Sequence, residues 1–241
     1  VERLLSGLHM SIANFARIVL LAVAAHGTAL TAAAAEQSAA IPVIERTGDW
    51  RAAVRRFAEE NLKHPAWGAS HSLRNYRLAK ELAAVDGVAV DDDVLYAAAY
   101  LHDVAAFSPF AKPGVDHQDQ AADIVQSMLE GTGFPMQKID AVRSAIRTHM
   151  YGRDPVGPEA IYLHDADALD WLGAIGIARV FALVDANGGS PDGPAIARRL
   201  ESTLKTVPPR IVSKAGKARA EPRARELEEF LRNLQAQSAD Y

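Results

Sequence analysis

An imidazole and a carboxylate stand side by side at His102–Asp103, directly after the apolar run from Val94 to Leu101. Two clusters of the same chemistry flank the doublet: His71 upstream in Ser70-His-Ser-Leu-Arg-Asn-Tyr76, and His164-Asp-Ala-Asp-Ala-Leu-Asp170 downstream. Neutral imidazole and carboxylate together suit borderline divalent ions such as Mn, Fe, Zn or Co, with Mg also admissible. A site with three or four such ligands leaves positions open for water, which a divalent ion acidifies into a nucleophile. The chain has no cysteine, so every ligand must be His, Asp or Glu.

In this order the residues resemble the signature of the HD-domain metal-dependent phosphohydrolases: a His, then a His-Asp doublet, then a later Asp. Position by position, the resemblance implies His71, His102, Asp103 and Asp167 as metal ligands, with Asp165 as a neighbouring alternative to Asp167. It looks nearest to a small bacterial branch of nucleotide phosphohydrolases, in which the stretch Asp165-Ala-Asp-Ala-Leu-Asp-Trp-Leu-Gly-Ala-Ile-Gly-Ile-Ala-Arg179 is typical, and it spans roughly residues 50 to 235. The implied activity is cleavage of a phosphate ester or anhydride, with a nucleotide the favoured class. The implied fold is a single HD-type helical bundle of about seven or eight helices. Relatives with extra histidines between the doublet and the last Asp carry a second metal bridged by the doublet's Asp, so the resemblance admits one divalent ion or two. His117 and His149 are then second-metal ligands, phosphate donors or supports for other ligands.

Catalytic roles are expected for Asp103, Arg74, His117 and His149, and the partner is a small-molecule phosphoester. Arg74 is a candidate for phosphate contact because its guanidinium fork matches phosphate oxygens and it lies one helical turn from His71; a salt bridge within the bundle is the competing reading. Arg179 is a second candidate, Asp170 an orienting group for a ligand or an Arg, Lys112 a loop cation within reach of a leaving group, and His164 a structural neighbour of Asp165. Just after the doublet many relatives place Lys or Glu, whereas Val104-Ala-Ala-Phe-Ser108 offers only a hydroxyl, so the proton donor to the leaving group is not legible. Two other functions compete: hydration of a small nitrile-like substrate, since some HD proteins with a similar His-Ser-Leu-Arg context resemble such hydratases, and a non-catalytic, metal-stabilised binding module.

The elements that must position these groups read as helical throughout. From Gly48 onward apolar residues recur at helical spacing and alternation is scarce, which predicts an all-α domain over 48–236. Helices are expected over Trp50–Leu62, Ser70–Ala84, a stretch capped by Asp91-Asp-Asp93 and reaching Leu101, His117–Glu130, Pro135–Met150, a long run Glu159–Asp185, Ala195–Lys205 and Arg223–Gln235. The segment Ala105–Asp116, with Pro109, Pro113 and Gly114, reads as a loop over the site.

Composition bounds the rest. The chain has 241 residues, 49% of them hydrophobic, enough for one sizeable core. A net charge of −4 gives no basic excess for a nucleic-acid backbone, so no nucleic-acid polymer is expected and a phosphate must be held locally. Residues 10–35 have a short basic start at Met10–Arg17, an apolar stretch Ile18–Ala25 and the small residues Ala32–Ala35. That is the three-part pattern of a secretory signal peptide, predicting a periplasmic or secreted protein with no stable membrane span after processing; an Ala-rich helix on a cytoplasmic protein is the alternative.

Overall fold

The computed structural model describes residues 41–184 and 194–238; the expected signal segment lies outside the described residues. Among the described residues there are nine α-helices, three short 3-10 turns and no strand. The helices are α1 (Trp50–Asn61), α2 (Ala69–Asp86), α3 (Asp92–Leu101), α4 (His117–Leu129), α5 (Ile139–Thr148), α6 (Pro158–Leu169), α7 (Gly173–Val184), α8 (Pro194–Thr206) and α9 (Lys214–Gln237). None of these helices is long and apolar enough to cross a membrane.

Two helices form the centre. In α3 every residue from Val94 to Leu101 is buried, as expected for a helix that is apolar all round. Its start is fixed by Asp91, whose side chain accepts from the backbone N–H groups of Asp93 (2.9 Å) and Val94 (3.3 Å). Its acidic first turn is neutralised from neighbouring elements by Arg51, Lys80 and Lys138. In α6 burial is again continuous, from Tyr162 through Leu169, and includes His164, Asp165 and Asp167. Helices α2, α5 and α1 pack against this pair, α4 lies on α5, and α7, α8 and α9 form a layer against α6 and α2.

The expected helix Glu159–Asp185 is two helices. Asp170, Trp171 and Leu172 each donate to the carbonyl three residues back, a tightened closing turn, and Gly173 then takes a φ of +65°. The apolar pattern runs unbroken through this corner, which is why periodicity alone joins the two. The last helix starts at Lys214 rather than Arg223 and passes through Pro222, which is exposed. Its first turn is anchored because the orphan N–H groups there have acceptors: Asp165 takes Val212 N and Ser213 N at 2.8 and 2.7 Å, Asp86 takes Ala215 N at 3.0 Å, and Ser213 Oγ takes Gly216 N at 2.9 Å. The split of the long run takes the helix count from the expected seven or eight to nine among the described residues.

Candidate metal centre

The candidate ligands lie near the ends of three helices, and the fold brings these ends together. His71 lies in the first turn of α2, His102 is the residue after α3, Asp103 follows it into a 3-10 turn, and Asp167 is near the end of α6. His71 Nε2 is 3.3 Å from His102 Nε2, 3.6 Å from Asp103 Oδ2 and 3.1 Å from Asp167 Oδ1, and His102 Nε2 is 3.2 Å from Asp103 Oδ2. Ligands about 2.1 Å from one ion lie about 3.0 Å apart at right angles and about 3.4 Å apart at the tetrahedral angle, so these separations fit a shared cation. The other carboxylate oxygen of Asp103 looks the opposite way: Oδ1 is 3.2 Å from His117 Nε2 and 3.6 Å from His149 Nε2. Asp103 thus stands between two groups of three, His71/His102/Asp103 and Asp103/His117/His149.

Hydrogen bonds behind the rings decide which nitrogen faces the centre. His102 Nδ1 donates to the Ala99 carbonyl (2.9 Å), His149 Nδ1 to the Ile146 carbonyl (2.6 Å) and His71 Nδ1 to Asp170 Oδ2 (2.6 Å). Each such ring turns a bare Nε2 lone pair inward, the arrangement that backs metal-bound histidines. Nε2 of His71 and Nε2 of His102 face one another beside a carboxylate, and His149 Nε2 is buried with no hydrogen-bond partner. Such a concentration of donor atoms suits a cation: His71, His102 and Asp103 form one group able to hold a divalent ion, and Asp167, 3.1 Å from His71 Nε2, lies beside that group.

The titration of these groups follows from the same crowding. Burial pushes the Asp103 carboxyl up, but His102, His117 and His149 outweigh it and hold the group well below the usual carboxylate range. Asp167 is likewise penalised by burial and brought down to about 2, chiefly by His71. For His71, burial and Arg179 act to lower the value, yet the contacts with Asp167 and Asp170 win and raise it.

Asp170 does more than the sequence suggests. Besides His71 it accepts from Arg74 through Nε (2.9 Å) and Nη2 (2.7 Å), and Arg179 Nη1 lies 3.1 Å away, in ion-pair range but not aligned for a hydrogen bond. Arg179 is itself buried, donates from Nε to the Ala66 carbonyl at 2.6 Å and stacks over Trp171. Arg74 therefore occupies the salt bridge weighed against phosphate contact, and both expected phosphate arginines are directed at Asp170. Asp165 is not at the centre: its carboxylate holds the start of α9. His164 is buried between the carbonyls of Thr148 and Arg210, a structural position.

Sequence reasoning passed over two residues. Asn75, one turn beyond His71, places Nδ2 3.1 Å from His71 Nε2 and 3.4 Å from Asp167 Oδ1; its i, i+4 relation to His71 was the available signal. His64 stacks on Trp67 and accepts from the backbone N–H of Ala66, which closes the turn into α2.

Residues 68–172 match the HD domain, a span holding His71, His102, Asp103, Asp167 and Asp170. No curated protein matches the sequence. Among solved structures, the chain is similar to a predicted HD-superfamily hydrolase from an uncultured Thermotogales bacterium, with 28% identity, a TM-score of 0.55 and coverage of 76% of this chain and 88% of that one. It is similar to an HD-superfamily hydrolase from Bacillus thuringiensis at 27% identity and a TM-score of 0.60, covering 78% and 95%. Bacillus subtilis YpgQ in complex with ADP shares the fold at 21% identity and a TM-score of 0.61, covering 77% and 96%.

Proposed function

The chain carries an HD domain and so belongs to the HD superfamily, and on that premise we propose that it is a metal-dependent phosphohydrolase acting on a small phosphoester, with nucleotides the favoured class. The observation that carries the reading is the convergence of bare imidazole nitrogens and buried carboxylates on one centre, with ligand separations of 3.1 to 3.6 Å. When bound, a divalent ion there supplies charge neutralisation of a phosphoryl oxygen and acidifies water. The chain's own residues do the rest. His71, His102, Asp103 and Asp167 hold the ion. Asp170 keeps the His71 ring in the tautomer that presents Nε2, and Arg74 and Arg179 keep Asp170 charged and in place. His149, with a buried Nε2 lone pair 3.6 Å from Asp103 Oδ1, accepts a proton from water at that edge of the site.

A nucleotide is favoured because the same fold is seen with ADP in Bacillus subtilis YpgQ. An exported location, from the segment Met10–Ala35, belongs to the same proposal and makes scavenged phosphoesters the natural pool. The test is a panel on the metal-loaded chain: nucleoside mono-, di- and triphosphates, sugar phosphates and a nitrile, each with Mn, Co and Zn. Release of phosphate that disappears with chelator and returns with metal is the expected result. Turnover of the nitrile alone moves the assignment to a hydratase, and a metal-loaded chain inert on all of them leaves a binding module.

A further inference from the structure

Four imidazoles surround Asp103, and two of them have a fixed polarity that suits a metal ligand: Nδ1 of His102 and His149 faces a backbone carbonyl, so in the neutral ring Nδ1 bears the proton and Nε2 is bare, whereas His71 faces a carboxylate on each side, Asp170 at Nδ1 and Asp167 at Nε2. His117 is built the other way round. Its Nδ1 faces the side-chain amide of Gln118, and the other end of that amide faces Arg153. A guanidinium has only N–H groups to offer, so the Gln118 oxygen must face it, at 3.1 Å from Nε and 3.0 Å from Nη2. The amide NH2 is then 3.1 Å from His117 Nδ1 and donates to it. In a neutral ring an accepting Nδ1 requires the proton on Nε2, which lies 3.2 Å from Asp103 Oδ1 and donates to it.

Arg153 cannot release Gln118 to turn over. It donates to both carboxylate oxygens of Asp119 at 2.7 Å, to Asp116 Oδ2 at 3.1 Å and to the Arg147 carbonyl at 3.3 Å, so the whole fork is engaged and a reversed amide meets N–H against N–H. Position separates His117 from the other three as well. Its side chain is 29% exposed, against 0 to 1% for His71, His102 and His149, which puts it at the mouth of the site.

We propose that His117 is a substrate-contacting hydrogen-bond donor, giving its Nε2–H to a phosphoryl oxygen, and that Gln118 and Arg153 are positioning residues that fix this tautomer. The proposal rests on the phosphohydrolase reading and supplies what that reading lacks, because Arg74 and Arg179 are both turned to Asp170 and leave the anion needing another donor. An arriving phosphoryl oxygen takes over the N–H from Asp103 Oδ1; no bond to hydrogen is broken in the exchange. It follows that Asp103, His117 and His149 are not a complete second ion site while Gln118 is in place, since His117 has no lone pair to give. The resident metal is one ion per chain.

The experiment uses the full chain labelled with 15N-histidine. Long-range 1H–15N correlation spectra of the metal-free protein at neutral to mildly basic pH read the tautomer of each ring, and the His117 signals are assigned by their loss in His117→Gln. The expected pattern is Nε2–H for His117 and Nδ1–H for His102 and His149, with Gln118→Glu, whose carboxylate accepts from both Arg153 and His117, moving His117 to Nδ1–H. Equilibrium dialysis against Mn alone should give one ion per wild-type chain and a second in Gln118→Glu. Inorganic phosphate should bind the Mn-loaded His117→Ala chain three- to tenfold more weakly than wild type, the loss expected for one neutral hydrogen bond, and His117→Gln, which keeps an N–H at that reach, should recover part of it. Nδ1–H for His117 in the wild type, or two Mn ions per wild-type chain falling to one in His117→Ala, overturns the proposal. An Nε2–H ring with phosphate affinity unchanged in His117→Ala overturns the substrate contact. Wild-type chain that shows the expected tautomers and a single Mn but binds no phosphate overturns the phosphohydrolase reading instead.

Discussion

Replacing Asp170 by Asn keeps the shape of the side chain and removes its charge, which makes it the sharpest probe of what holds the centre. Two donors and a further cation converge on this carboxylate: His71 Nδ1 at 2.6 Å and the Arg74 fork at 2.7 and 2.9 Å donate to it, and Arg179 lies in ion-pair range at 3.1 Å. Asp170 and Arg179 are each 3% exposed in their side chains, so the variant leaves Arg179 a buried cation without the carboxylate in contact with it, and only the more distant Asp167 and Asp103 charges remain. Removing one partner of such a pair costs about 3 to 5 kcal/mol, which for a domain of this size lowers Tm by roughly 6 to 20 °C. The amide also offers an N–H where a donor expects an acceptor, and loosens the hold on the His71 ring. Changes to a group that orients a metal-bound histidine typically cost 10- to 100-fold in metal affinity, about 1.4 to 2.8 kcal/mol. Thermal unfolding in chelator reads the first effect, and Mn titration of the folded protein well below the new Tm reads the second. A variant that loses stability but binds Mn as tightly as wild type shows that Asp170 is a structural anion with no part in presenting Nε2. If neither quantity moves, the network does not exist in solution.

Asp103→Ala should lose metal and phosphoesterase activity together, as inductively coupled plasma analysis and single-turnover kinetics will show, because both Asp103 oxygens face the imidazoles. Arg74→Ala should bind metal with a smaller loss than Asp170→Asn and be destabilised by about 1.5 kcal/mol, the low end for a charged hydrogen bond since the arginine is one-third exposed; loss of phosphate affinity at full metal affinity would return Arg74 to the substrate. Because the His71 value is raised above 6.5, protons compete with the ion at higher pH than for an ordinary histidine, so Mn affinity measured from pH 8 to 5 should begin to fall above 6.5. In the metal-free chain the same group contributes stability that is present below 6.5 and lost as pH rises through the raised value, whereas Asp167, about 2 against an ordinary 3.8, contributes stability present above 3.8 and lost as pH falls toward 2. Gly176→Ala puts a Cβ 2.1 Å from the Trp171 carbonyl oxygen, so the start of α7 must shift, and a loss of about 1 to 3 kcal/mol in chemical denaturation is expected. Sequencing of the native protein should find a mature N-terminus near Glu36, and an intact cytoplasmic chain starting at or before Met10 refutes export.

What was legible in the sequence is what local chemistry decides. The buried α3 announces itself as eight apolar residues after three aspartates, and its end then has to be where His102 and Asp103 stand. The corner at Asp170–Leu172 was hidden because nothing polar interrupts the pattern after it, and the start of α9 because its cap comes from Asp165 and Asp86, far away in the chain. Tautomers are farther still from the sequence: a glutamine beside a histidine is unremarkable until an arginine 35 positions on fixes which end of its amide faces the ring. The choice between Asp165 and Asp167 shows where the boundary lies. Two residues apart on a helix they point some 200° from one another, so only one of them can face α2. Asp167 and Asp170, three apart, share a face, and His71 spans the pair, with Nε2 toward the first and Nδ1 toward the second. The expected helix already ran past Asp170, so imposing the two-sided demand of the His71 imidazole on that face would have separated ligand from anchor by spacing alone: Asp167 has a carboxylate one turn on, at Asp170, to hold the far side of the ring, and Asp165 has none.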